Sequence, residues 1–130
     1  MMVVDTSALF AILAGEPEQD EFNDRIAVTE RCMISAVTYA ETHIVVERRL
    51  GEAGTRELAL YLHEAGMSIE QVDRDQADLA RAAYRTFGRG RHAAGLNFGD
   101  CFSYALAKRL GSPLLYKGDD FSRTDILRAW

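Results

Sequence analysis

A chain of 130 residues with 48% hydrophobic side chains suits one compact domain, 1–130, whose core needs no disulfide or metal staple. No apolar run approaches the ~20 residues of a membrane span, and no charged segment leads into an apolar stretch with a cleavage site. The expectation is therefore a cytoplasmic protein without membrane contact, in which Cys32 and Cys101 are buried, reduced thiols. The net charge of -5 argues mildly against a nucleic-acid partner.

That charge is unevenly spread. Residues 16–30 carry Glu16, Glu18, Asp20, Glu21, Asp24 and Glu30 against Arg25 alone. Residues 79–99 carry Arg81, Arg85, Arg89, Arg91 and His92 and no acid. Such asymmetry marks a binding face that the net charge hides.

In chain order, residues 2–5 are short and apolar enough to be a buried strand. A helix over 7–13 follows, capped by Asp5, Thr6 or Ser7. Pro17 opens a second helix to about Ala27, because proline suits a first helical turn. Cys32-Met33-Ile34 is a short strand, and Ser35 caps a long helix through Leu50, closed by Gly51. A further helix runs from Thr55 to Ala65 and stops at Gly66. Met67 to Val72 reads as a strand. Asp73-x-x-Gln76 is a capping box for a helix over 74–87, ending at Gly88. After a Gly/Arg loop, Asn97 caps a helix through Leu110, with Gly111 as its stop. Pro113 to Tyr116 is a buried strand, Lys117-Gly118 turns out of it, and a weak last strand lies near Ile126–Leu127. Short apolar strands alternating with helices give an α/β fold, a parallel sheet covered on both faces, with more helix than a simple doubly wound fold.

The acids carry the chemistry. Asp5 stands where a buried strand ends and a helix begins, and ligands collect at the carboxyl ends of strands in open α/β sheets. Alone it reads more readily as a helix cap, since caps are far commoner than ligands. Thr6 and Ser7 also offer capping hydroxyls, which would leave the carboxylate free. Glu41 shares a helix face with Val37, Ile44 and Val45. That face is expected to point inward, and glutamate is rarely buried without a partner. Asp100 falls in the first turn of its helix, where it complements the dipole. Gly99 beside it costs roughly 1 kcal/mol relative to alanine in a helix, which implies that another group or a ligand comes close. Asp119 and Asp120 follow the strand 113–116; turns favour aspartate, but two together at a strand end are less ordinary. Tyr39, Tyr61, Tyr84, Phe102 and Tyr104 fall at helical spacing and read as core.

Asp5-Thr6-Ser7-Ala8-Leu9, Glu41, Asn97-Phe98-Gly99-Asp100-Cys101 and Leu114-Leu115-Tyr116-Lys117-Gly118-Asp119-Asp120-Phe121 occur in order over nearly the whole chain. Together they resemble a PIN domain, and more narrowly the VapC ribonuclease toxins of bacterial toxin–antitoxin pairs. The resemblance implies a three-layer sandwich, a short parallel sheet flanked by helices. It matches Asp5 and Asp100 to the family's principal metal-binding acids and Glu41 to the third acid. Asp120 is matched to the fourth, with Asp119 as the doubled residue beside it. Ser7 or Thr6 matches an assisting hydroxyl, and Asn97 a supporting polar residue. The implied substrate is RNA, and the implied partners are a VapB-type antitoxin and a second copy in a homodimer.

All-carboxylate donors suit Mg²⁺, with Mn²⁺ as substitute, rather than zinc. Such an ion polarises a phosphoryl oxygen and activates a water, which Glu41 or Asp120 would orient or deprotonate. In the loop leading to the Asp100 helix, Arg85, Arg89 and Arg91 are expected to grip phosphates beside the metal, with Phe87 stacking on a base. The rival enzyme class is a Mg²⁺-dependent phosphatase or a phospho-acceptor domain, with Lys117 as a phosphate-sensing lysine. The rival outside enzymes is a protein-binding module with acidic helix caps.

Overall fold

The computed structural model describes residues Met1–Trp130. Four short strands make one parallel sheet: β1 (Met2–Val4), β2 (Cys32–Ser35), β3 (Ser68–Glu70) and β4 (Leu114–Leu115), in the order β3-β2-β1-β4. Val3 pairs with Met33 on one side and with Leu114 on the other, and Ile34 pairs with Ile69. The chain moves outward from β1 through β2 to β3 and then returns to the other side of β1. Such a reversal opens a crevice at the strands' carboxyl ends.

Strand alternation divides the core. Met2, Val4, Cys32, Ile34 and Leu115 face one side, where they meet Leu9, Ile12, Phe22, Val46, Leu58 and Leu62 from α1 (Thr6–Leu13), α2 (Gln19–Val28) and α3 (Ala36–Glu64). Val3, Met33 and Leu114 face the other side, against Ala80, Ala83, Cys101, Tyr104, Leu106 and Ala107 from α4 (Arg74–Phe87) and α5 (Phe98–Leu110). The expected sandwich is therefore built, and both cysteines are free and buried. No helix is long and apolar enough to cross a membrane.

Several boundaries differ from the sequence reading. Helix α2 starts at Gln19, not Pro17, because the preceding turn stays tied to α1: the Glu16 amide donates to Ala11 O and the Gln19 amide donates to Glu16 O. The two helices expected on either side of residues 51–54 are both present and meet at a kink within α3. Gly51 breaks the helical geometry there, with φ 71° and ψ -165°. The last strand reduces to a single bridge, Leu114 with Arg128, and Phe121–Arg123 form a short 3₁₀ turn. Of the aromatic residues assigned to the core, Tyr104 is buried, but Tyr39 and Tyr84 are exposed on their helices.

The Gly51 conformation lies in a region essentially reserved for glycine, where other residues pay ~1–3 kcal/mol. Gly51→Ala is therefore expected to lower unfolding free energy by about that amount in urea denaturation. An unchanged midpoint would show that the bend straightens without penalty.

Candidate metal centre

Asp5 follows β1 directly, and its amide donates to Leu115 O of β4 at 3.0 Å, so the two strand ends are locked side by side. The residue is only 3% exposed. It does cap α1: Oδ2 accepts from the Ser7 amide at 3.0 Å and from Ser7 Oγ at 2.8 Å. Of the three candidate caps Asp5 takes the role, and its carboxylate caps and faces the crevice at once. Ser7 Oγ also accepts from the Lys117 amide at 3.0 Å, which ties the end of β4 to the same carboxylate.

The other oxygen of Asp5, Oδ1, accepts from Ser103 Oγ at 2.5 Å. Ser103 has one proton, and it is spent there. The 3.1 Å contact between Ser103 Oγ and Thr38 Oγ1 therefore has Thr38 as donor. Both hydroxyls are wholly buried. A second chain runs from Thr42 Oγ1 to Thr6 Oγ1 at 2.9 Å and from Thr6 Oγ1 to Glu41 Oε1 at 2.8 Å. Ser7 and Thr6 thus serve different acids. Sequence reasoning missed Thr38, Thr42 and Ser103. The available signal was their spacing, with hydroxyls three residues before and one after Glu41, and three after Asp100, on otherwise apolar helices.

Glu41 reaches the crevice by a different route from the one expected. The inward stripe of α3 is Thr38, Thr42 and Val46, not the face with Val37, Ile44 and Val45, and Ile44 is 57% exposed. Glu41 lies at the border of the buried stripe and turns sideways to Thr6. Neither Arg48 nor Arg49 neutralises it; the Arg49 guanidinium sits over the Phe10 ring at 4.8 Å. Burial pushes the Glu41 carboxyl up, the Thr6 hydroxyl pulls it down, and the Asp5 charge raises it again.

Asn97 and Asp100 form a reciprocal box at the start of α5: Asn97 Oδ1 accepts from the Asp100 amide at 2.9 Å, and Asp100 Oδ2 accepts from the Asn97 amide at 3.0 Å. Asp100 is thus both a helix-start residue and a member of the acid group. Its carboxyl is pushed up to about 7, first by burial and then by the Asp5 charge. The Asn97 amide opposes this, and the charges of Asp120 and Glu41 add to it. The charge of Asp120 therefore reaches the cluster. The phenol of Tyr116 is raised first by burial, lowered by Arg128, and raised in smaller part by Asp119.

Asp5, Glu41, Asp100 and Asp120 come from four separate segments, and no lysine or arginine is paired with any of them. The donor set is all oxygen and anionic, which fits a hard divalent cation. No three His, Cys, Asp or Glu side chains stand close enough to share an ion directly. Magnesium retains several waters, so one or two direct carboxylates suffice and the rest act through water. Lys117 sits at 3.3 Å from Glu16 and 3.2 Å from Glu18, turned toward the α1–α2 connection. It is therefore committed elsewhere than a phosphate-sensing lysine would be.

The basic residues fall into a different place from the expected one. Arg81, Arg85 and Arg91, with Tyr84, Phe98 and Phe102, line a groove of about 500 Å³ between α4 and α5. At 3.6 residues per turn, Phe98, Cys101 and Phe102 share one flank of α5, while Gly99, Asp100 and Ser103 share the opposite one. The groove thus opens away from the acids. Arg89 is exposed outside it. Phe87 is no base platform, since it packs at 5.7 Å from Tyr104 and edge-on at 5.1 Å from His92.

A family model for the PIN domain matches residues 2–127. The chain belongs to the PIN-domain family, and within it to the VapC ribonuclease toxins. Ribonuclease VapC30 of Mycobacterium tuberculosis is 55% identical to it over 125 residues, covering 96% of this chain and 95% of that protein. Among solved structures, VapC20 of the same organism, described as a toxin that cleaves the sarcin–ricin loop, superposes with a TM-score of 0.79 at 22% identity, over 98% of this chain and 97% of that one. A toxin–antitoxin complex from Klebsiella pneumoniae superposes with a TM-score of 0.72 at 20% identity, over 100% and 98%. The phosphatase or phospho-acceptor alternative finds no support in this membership or in the position of Lys117.

A raised Asp100 means that the folded, metal-free protein binds a proton more tightly than the unfolded chain between its ordinary value of 3.8 and about 7. Stability contributed by that proton is present at low pH and lost as pH rises through this window. The melting temperature of chelator-treated protein is expected to fall from pH 5 to pH 8, and Asp100→Asn is expected to flatten the fall. Parallel curves for the two proteins would contradict the assignment.

Proposed function

We propose that the protein is an endoribonuclease toxin whose divalent cation, Mg²⁺ with Mn²⁺ as substitute, is held by Asp5 and Asp100. The observation that carries this reading is the convergence of the acids without a basic partner, with Asp5 held by Ser7 and Ser103 and Glu41 held by Thr6. The cation supplies charge neutralisation and Lewis acidity toward a phosphodiester.

The chain's own residues do the rest. Ser7 and Ser103 hold the two oxygens of Asp5 in fixed directions, as outer hydrogen bonds do for ligating carboxylates. The Asn97 amide does the same for one oxygen of Asp100. Glu41, fixed by Thr6, and Asp120 at the exposed rim orient the attacking water and accept its proton. The exposed side of Asp120 leaves the crevice open for a phosphate backbone, whereas a site for a small ligand would be enclosed.

RNA is the substrate by family membership, and a VapB-type antitoxin is the silencing partner. Its expected device is a helix with a basic residue laid into the acidic crevice. The exposed apolar residues Tyr39, Ile44 and Leu60 of α3 suit such a helix or a second copy in a homodimer. The cellular setting is the cytoplasm, where the RNA is.

Incubation with RNA and Mn²⁺ is expected to give cleavage that EDTA abolishes. Asp100→Asn is expected to lower it by at least ~10²-fold, the scale of a lost electrostatic contribution at a reacting centre. Cleavage that persists in EDTA would end the metal reading.

Arg85 and Arg91 belong to the substrate track at a distance from the scissile bond. Their replacement by alanine is expected to raise KM and leave kcat near the parent value. The salt slope of RNA binding is expected to fall by about 1 for each phosphate that is no longer neutralised. A defect confined to kcat would contradict this placement.

A further inference from the structure

We propose that Gly99 is a positioning residue for cleavage, because its missing side chain is the space that seats the Glu41 carboxylate. The inference rests on Glu41 belonging to the working site. Gly99 is buried in the first turn of α5. Its backbone is ordinary helix, not one of the positive-φ glycines of the chain. Conformation therefore does not call for glycine, and helix propensity disfavours it by roughly 1 kcal/mol against alanine. What occupies the space is a group from another helix: a Cβ at Gly99 would overlap Oε2, Cδ and Oε1 of Glu41.

The two other glycines with occupied Cβ space differ in kind. At Gly54 the obstruction is the side chains of Leu50 and Val46 on the same helix, and at Gly88 it is Tyr84, four residues back. Gly99 alone opens onto a side chain brought by tertiary packing, and that side chain is an acid of the cluster. The carboxylate is held from one side by the Thr6 hydroxyl at 2.8 Å, itself fixed by Thr42. On the other side lies the bare backbone of α5, one residue from Asp100. A methyl group at position 99 cannot be met by a shift of backbone without moving Asp100, so the flexible Glu41 side chain must yield. It would then leave Thr6 and the crevice together.

The test is a steric cycle on the full chain. Gly99→Ala is expected to fold, with a melting temperature equal to or above the parent's. Its kcat on RNA is expected to drop ~10²-fold, the scale of a 1 Å misplacement at a reacting centre, while KM changes little. Glu41→Asp, one methylene shorter, is expected to impair the parent background but to recover at least ~10-fold of kcat in the Gly99→Ala background. Mn²⁺ binding followed by electron paramagnetic resonance gives a readout apart from turnover: weakened in Gly99→Ala, regained in the double variant.

If Gly99→Ala fails to fold, a folded double variant supports the same steric account, and an unfolded one overturns it. Parent-like kcat in Gly99→Ala, alongside a crippled Glu41→Gln, overturns the inference and leaves the function intact. Parent-like kcat in Glu41→Gln removes Glu41 from the site and with it the premise.

Discussion

Uncompensated negative charge is the constraint on which this structure turns. Asp5, Glu41, Asp100 and Asp120 gather at one end of a parallel sheet with no cation of the protein's own beside them. Burial first, and then the like charges of its neighbours, disfavour ionisation of Asp100. A fold tolerates such a group only if surrounding contacts over-determine it. Here the contacts are buried hydroxyls. Ser7, Ser103 and Thr38 serve Asp5, and Thr6 and Thr42 serve Glu41. Their protons are directed at the acids or at one another, so the network is satisfied without neutralising the carboxylates. The charge remains available to an ion.

The sheet explains why the acids meet. Asp5 and the Lys117–Asp120 turn leave adjacent parallel strands on the side where the strand order reverses, so their proximity follows from topology. Glu41 and Asp100 arrive by helix packing instead. They lie on α3 and α5, which approach closely because Thr38, Ser103 and Gly99 are small. Larger residues at Thr38 or Ser103 would separate the helices and open the cluster, whereas at Gly99 the group that must yield is the Glu41 side chain.

Much of this is legible in the sequence. Strand ends, helix caps and glycine stops have local causes, so β1, α1, α4, α5 and β4 fall close to where patterning puts them. Asp73 accepts from the Gln76 amide, as the local motif requires. The differences share one origin, which is that local patterns do not report how elements pack. Apolar spacing points the wrong face of α3 inward because its buried stripe begins with two threonines that owe their burial to hydrogen bonds across the site. The arginine loop is continuous in sequence with the Asp100 helix, yet helical phase turns its groove to the opposite flank.

By itself, then, the sequence determined the alternation of strands and helices, because that follows from residue type and spacing along the chain, and its motifs carried the resemblance to the family and to its candidate acids. Only the tertiary structure decided which oxygen each hydroxyl holds, which stripe of α3 turns inward, and which side chain fills the space beside Gly99. Those depend on groups distant in sequence meeting within a few ångströms, and no periodicity along one segment encodes the shape of another.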